Sequence, residues 1–272
     1  MPNIEIKTSE GVSISMFELK SGGERDVLML HGVGRAGRTF SAFAAMLPDQ
    51  LRISAIDFRG HGMSGRLSNR YRVTDYVNDA VAALNAIGRP TIVYGHSLGA
   101  IVAMAVAAKL PNAVSAIVLE DPPSAAFWRN LESTNYHPTF VAMRQLASQA
   151  NLSTAEIALQ LRDVTMKPTA DGRAVKLGDV RDAVSLRFTA SCLKQLDPQV
   201  MQTIVQDMPI AVQQSHEDAL AGLPSAEQVK ELMLLYQLCI KLLGCGDPNR
   251  VVEIVLDLLR KRTGAAVVGF LS

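Results

Sequence analysis

Thr91-Ile92-Val93-Tyr94-Gly95-His96-Ser97-Leu98-Gly99-Ala100 is the stretch whose reading decides the fold. A β-branched, apolar run leads into Gly-His-Ser-Leu-Gly, and a run of small and apolar residues follows over 101–108. That pattern predicts a strand, a tight turn and a helix. In a G-x-S-x-G turn with this context, the bend exposes one serine hydroxyl, and glycines are needed where neighbouring backbones come too close for a Cβ. Ser97 is therefore a candidate nucleophile on a nucleophile elbow.

Working outward, the chain alternates strand and helix. Residues 26–30 (Asp-Val-Leu-Met-Leu) are almost continuously apolar, as expected of a parallel strand buried on both faces. They run into His31-Gly32-Val33-Gly34-Arg35, and a helix is expected over 38–47. A strand over 53–58 ends in Arg59-Gly60-His61-Gly62-Met63-Ser64. The next helix starts near Thr74, carries Val73, Val77, Val81 and Leu84 on one face, and stops at Gly88-Arg89-Pro90. Residues 114–119 form another buried strand, closed by Glu120-Asp121-Pro122-Pro123. At the N-terminus, alternation over 4–6 and 12–16 predicts an antiparallel hairpin at a sheet edge.

The rhythm breaks after Pro123. Residues 124–208 read as helices and loops, with a capping box at Ser153-Thr154-Ala155-Glu156 and a helical stretch over 179–193. Phe127, Trp128, Tyr136 and Phe140 concentrate aromatic surface there, either as the core of a helical subdomain or as a pocket wall. Strands return over 209–214 and 238–243, with a capping box at 225–228 and helices after it and over 249–262.

Composition excludes several classes. The chain has 272 residues, 48% hydrophobic and 19% charged, with 27 basic and 26 acidic side chains. A net charge of +1 and the lack of basic tracts argue against nucleic acid or an anionic membrane as partner. No apolar run reaches the ~20 residues of a membrane span. The N-terminus does not read as a secretory signal, and three cysteines (Cys192, Cys239, Cys245) suit free thiols in a reducing, cytoplasmic setting. No Cys or His spacing suggests a metal site, and neither metal nor cofactor is expected.

Taken together, Leu30-His31-Gly32, Asp57-Phe58-Arg59-Gly60-His61-Gly62-Met63-Ser64, Gly95-His96-Ser97-Leu98-Gly99 and Leu119-Glu120-Asp121-Pro122-Pro123 resemble the α/β-hydrolase fold superfamily, in its cap-bearing esterase and lactonase-like branch. The resemblance is close over 26–123, general over the helical segment and partial after Pro209. It implies an α/β fold, with a mostly parallel sheet of about eight strands and helices on both faces. The core would be 1–123 with 209–272, and 124–208 a helical cap inserted after the sixth strand. It also implies Ser97 as nucleophile, with the backbone N–H groups of Val33 and Leu98 as oxyanion hole. His31, Gly32, Phe127 and Trp128 are expected around the pocket, His31 and His61 as loop anchors, and His96 as a packing residue turned away from the nucleophile. An aspartate-nucleophile branch is disfavoured because Ser97 holds that position.

The resemblance breaks where the base should be. The family's histidine follows the last strand, and here that position reads Gly244-Cys245-Gly246-Asp247, with no histidine after His216. Asp218 or Glu217 fits the family's acid position, and Asp247-Pro248 suits the start of a helix. Three readings stand. The chain is a non-catalytic ligand binder; or His216 is a relocated base with Asp121 between it and Ser97; or the chain is a parent hydrolase altered near its C-terminus. The expected activity is hydrolysis of an ester or lactone of a small, fairly apolar molecule through an acyl-enzyme at Ser97, the alternative being a small-ligand-binding pseudoenzyme.

Overall fold

A computed structural model describes residues 3–169 and 172–207. Six strands are found in this region: β1 (Asn3–Lys7), β2 (Ser13–Lys20), β3 (Arg25–Leu30), β4 (Leu51–Ile56), β5 (Thr91–His96) and β6 (Val114–Glu120). They form one sheet in the order β1-β2-β4-β3-β5-β6. β4, β3, β5 and β6 are parallel, and the β1–β2 hairpin is added antiparallel along β4. The expected strands over 209–214 and 238–243, which would bring the sheet to about eight, lie outside the described residues. So do the expected helices over 225–236 and 249–262, and with them His216, Glu217, Asp218 and Asp247.

The continuous apolarity of β3 has a geometric cause. Alternate side chains leave opposite faces of the sheet. Leu28 and Leu30 enter the larger core with Tyr76, Ala80 and Leu84 of α2 (Val73–Ile87) and Val102, Ala103 and Val106 of α3 (Leu98–Lys109). Val27 and Met29 enter a second cluster on the other face, with Phe40, Ala44, Ile53 and Tyr94; Ala44 belongs to α1 (Ser41–Met46). β6 was expected to be buried but is mostly half-buried, because β5 is its one strand neighbour among the described residues.

After β6 the described residues are helices and turns: α4 (Ala125–Arg129), α5 (Tyr136–Ala147), α6 (Thr154–Arg162), α7 (Leu177–Val180), α8 (Ala183–Leu193) and α9 (Pro198–Gln202). The capping box opening α6 forms in both directions. Glu156 N–H donates to Ser153 Oγ at 3.2 Å, and Ser153 N–H donates to Glu156 Oε2 at 2.7 Å. The single helix expected over 179–193 is instead two. Arg181 is extended (φ −132°, ψ 132°), and Asp182 then caps α8 by accepting from Ser185 N–H at 2.7 Å. An aspartate at that position stops one helix and starts the next because its carboxylate satisfies a free N–H of the new first turn.

Candidate active site

Ser97 stands between β5 and α3 with φ 53° and ψ −114°, a conformation that costs a non-glycine residue roughly 1–3 kcal/mol. The surroundings hold it there. Ser97 N–H donates to Glu120 O of β6 at 2.9 Å, and Ser97 O accepts from Ala100 N–H at 2.9 Å. A Cβ on Gly95 would lie 2.2 Å from Gly99 O, and one on Gly99 would lie 2.1 Å from Leu30 O. Both positions of the motif therefore admit only glycine without moving backbone.

The loop after β3 passes directly over the elbow. A Cβ on Gly32 would be 2.8 Å from His96 Nδ1 and 3.3 Å from Ser97 Cβ. Beneath that loop two histidines and an aspartate are committed to backbone groups. His31 Nε2 accepts from Phe58 N–H at 3.0 Å, and its Nδ1 donates to Gly32 O at 2.8 Å. His61 Nε2 accepts from Gly34 N–H at 3.2 Å, and its Nδ1 donates to Arg59 O at 3.0 Å. Asp57 accepts from Gly37 N–H at 2.6 Å and Met63 N–H at 2.8 Å, and its burial raises its carboxyl pKa. Burial brings His31 down to about 4 and, with His31 beside it, His61 down to about 3, so both are neutral. The loop-anchoring role expected of these two histidines is what the structure shows.

Above the elbow lies a cavity of about 470 Å³, bordered by residues of the core and of the helical segment. Gly32, Val33, Arg35, His96, Ser97 and Asp121 come from the core side. Tyr136, Phe140 and Met143 of α5, Leu161 of α6, Val180 of α7, Arg181, and Ser185, Leu186 and Thr189 of α8 come from the other. Of the residues expected around the pocket, Gly32 borders this cavity. His31, Phe127 and Trp128 do not: His31 is fully buried under the loop, and Trp128 packs into the core at 4% exposure. Phe127 stacks edge-on between Trp128 and Tyr136, so the aromatic row reaches the cavity at Tyr136 and Phe140. His96, expected to turn away as packing, borders the cavity beside Gly32. Asp121 also borders it, at the end of β6 in a left-handed conformation (φ 46°).

Two backbone donors next to Ser97 carry no hydrogen bond among the described residues: Val33 N–H, in the loop over the elbow, and Leu98 N–H, the first of α3. Buried backbone donors without partners are rare. Ser97 Oγ likewise has no side-chain partner among the described residues. Sequence reasoning assigned no role to two cationic groups on the cavity wall, Arg35 and Arg181. Arg35 appeared only as the last residue of a loop motif, and Arg181 was hidden inside an expected helix. The Asp182-x-x-Ser185 pattern was the one available sign that the helix restarts there. Among the described residues no group of three or more His, Cys, Asp or Glu side chains is arranged to hold a metal ion.

Comparison with known proteins gives the same picture. Over 96–106 residues the chain is 37% identical to a pimeloyl-[acyl-carrier protein] methyl ester esterase of Methylococcus capsulatus and 33% identical to a 2-(acetamidomethylene)succinate hydrolase of Mesorhizobium japonicum. These matches span 39% and 35% of the chain, and no more than 40% of the length of those relatives. An N-acyl homoserine lactonase, AidH, shares the fold with a TM-score of 0.56 at 18% identity, over 78% of this chain and 71% of its own. An epoxide hydrolase of Vigna radiata does so with a TM-score of 0.58 at 16% identity, over 79% and 75%. The model of the alpha/beta hydrolase family matches residues 27–269, from the first buried strand nearly to the end of the sequence. With the elbow, the loop over it and the parallel sheet beneath, this match places the chain in the alpha/beta hydrolase family.

Proposed function

We propose that the chain is a serine hydrolase that cleaves a carboxylic ester or lactone of a small molecule through an acyl-enzyme at Ser97. The observation that carries this is the pair of amides without a partner among the described residues, Val33 N–H and Leu98 N–H, beside a half-buried, strained serine in a cavity. Attack of Ser97 Oγ on the carbonyl moves an electron pair onto oxygen, and two fixed donors stabilise that charge without reorganising. The serine proton passes to the base and then to the departing alkoxide. Water, deprotonated by the same base, attacks the acyl-enzyme; the bond from Ser97 Oγ to the acyl carbon breaks, the base returns the proton to Oγ and the carboxylic acid leaves. Relatives named esterase, hydrolase and lipase support an ester-cleaving reaction.

His216 is the base of this proposal, with Asp121 or Asp218 orienting it. His31 and His61 are excluded because both ring nitrogens of each are taken by backbone groups. His137, on α5, is not among the described residues of the cavity wall. His96 borders the cavity, so it is the control.

A fluorophosphonate probe and 4-nitrophenyl acetate test the reading. Labelling and turnover in the wild type, both absent in Ser97→Ala, are expected. No labelling of the folded wild type sinks the hydrolase and favours the ligand-binding alternative. The base is read from pH–rate profiles of His216→Ala and His96→Ala. His216→Ala should lose the limb of the profile that reports base deprotonation; if His96→Ala loses it instead, His216 is not the base.

A further inference from the structure

We propose that the cavity selects substrates carrying a carboxylate or similar anion, held by Arg35 from the core and Arg181 from the helical segment, with the scissile carbonyl at Ser97. The inference rests on the reading of this cavity as the substrate site and narrows its substrate class.

The two arginines come from opposite walls. Arg35 lies in the loop that covers the elbow, and its N–H donates to Gly32 O at 3.2 Å, closing a turn. Such a turn keeps its ends within about 7 Å, and Gly32 lies against Ser97. The Arg35 guanidinium is thus based one turn from the reacting centre. Arg181 sits at the break between α7 and α8, where the extended backbone brings it to the cavity.

Among the described residues, both lack a counter-charge. A guanidinium has five N–H donors. The side-chain hydrogen bond of Arg35 among the described residues is one, from Nη1 to Thr189 Oγ1 at 2.6 Å. No carboxylate lies within ion-pair distance of Arg35 or Arg181 among the described residues. Asp121 borders the same cavity, yet it pairs with neither. Arg35 is held below the usual arginine range mainly by burial; Cys192 beside it opposes this, and the positive charge of Arg181 adds to it. Two like charges facing one cavity, one of them half-buried, are unfavourable unless an anion joins them. By contrast, Arg59, the fully buried arginine elsewhere in the fold, is matched by Asp79 at 2.7 Å and Glu10 at 2.7 Å. A carboxylate accepts two donors from a guanidinium side by side and so matches these cations. The walls formed by Tyr136, Phe140 and Met143 suit an apolar body between the anion and the carbonyl.

The test compares 4-nitrophenyl hydrogen succinate with its neutral methyl ester. The wild type should prefer the acid by about 10-fold or more in kcat/KM, as expected for charge-assisted hydrogen bonds, and added salt should reduce the preference. Arg35→Met and Arg181→Met should each cut the acid-to-ester ratio about 10-fold. Thermal unfolding reports whether each variant is folded; Arg181 is exposed, so Arg181→Met keeps the test available if Arg35→Met unfolds. Calorimetry on Ser97→Ala separates this inference from the hydrolase reading. 4-Phenylbutyrate should bind at least about 10-fold more tightly than 4-phenylbutyramide, and the difference should vanish when either arginine is also replaced. If neither ester is turned over but this arginine-dependent preference is found, the anion site stands and the hydrolase reading falls. Turnover without preference for the acid, or a preference that survives both arginine variants, overturns the anion site.

Discussion

The layer beneath the elbow and the wall above it are built from similar polar groups with opposite degrees of satisfaction. Beneath, His31, His61, Asp57 and Arg59 are buried, and each is tied to named partners at 2.6–3.2 Å. Above, Ser97 Oγ, Val33 N–H, Leu98 N–H and the guanidinium of Arg181 have no partner among the described residues. Yet only a few residues of one loop separate His31 from Val33 and Arg35. Burial and residue type do not distinguish scaffold from site here; lacking a partner while bordering the cavity does, since Tyr76 Oη and Trp128 Nε1 also lack a partner among the described residues but do not border it. A satisfied polar group fixes geometry, and an unsatisfied one beside a cavity has capacity left for a ligand.

Three substitutions or conditions can break that contrast. The largest effect is expected at Ser97. Ser97→Gly should reduce ester turnover by about 10³-fold or more, as loss of a nucleophile does. It should also raise unfolding stability by about 1 kcal/mol, because glycine relieves the left-handed backbone strain at some entropic cost. Loss of stability instead would mean that Ser97 belongs to the scaffold. Asp57→Ala removes the acceptor of the buried Gly37 N–H and the part-buried Met63 N–H and should destabilise the fold by about 3 kcal/mol in chemical denaturation. A change under 1 kcal/mol would show that the layer beneath the elbow is not held by these bonds.

The third is acidification. His31 and His61 are neutral in the fold with pKa values of about 4 and about 3, whereas in the unfolded chain they titrate near 6.5. Below pH 6.5 the unfolded state takes up protons that the folded state refuses. Stability is therefore full above that pH and is lost as pH falls toward 4 and then 3. At pH 5 each histidine costs about 2 kcal/mol. Asp57 and Asp79, raised by burial, oppose this, because the fold accepts their protons more readily than the unfolded chain does. A net loss of about 2 kcal/mol between pH 7 and pH 5 is expected in urea titrations. His31→Asn should flatten the curve, and an unchanged slope would remove the histidines from the account.

What was legible in the sequence is what local pattern controls. The elbow, the strands either side of it and the box at Ser153 follow from residues within a few positions of one another. The anchoring roles of His31 and His61 were also legible, through the motifs that contain them. The cavity wall was not. Arg35 reaches Thr189, 154 positions away, and no periodicity reports such a contact. Trp128 and Phe140 looked equivalent as aromatics, and only the packing of α4 and α5 sends one into the core and the other to the cavity. The break at Arg181 was missed because the apolar pattern of α8 continues smoothly back through Val180, while one aspartate cap overrides it.

The attachments between the helical segment and the sheet domain share one property. Among the described residues, Arg35, Arg38, Arg66, Asn69 and Tyr71 donate to Thr189, Ser191, Gln195, Gln199 and Asp197, and Gly60 O accepts from Asp197 N–H. Each of those sheet-side residues lies in a loop or short turn, and none on a strand. Residues of the helical segment that border the cavity can therefore be reshaped while the strand ladder beneath Ser97 keeps its register.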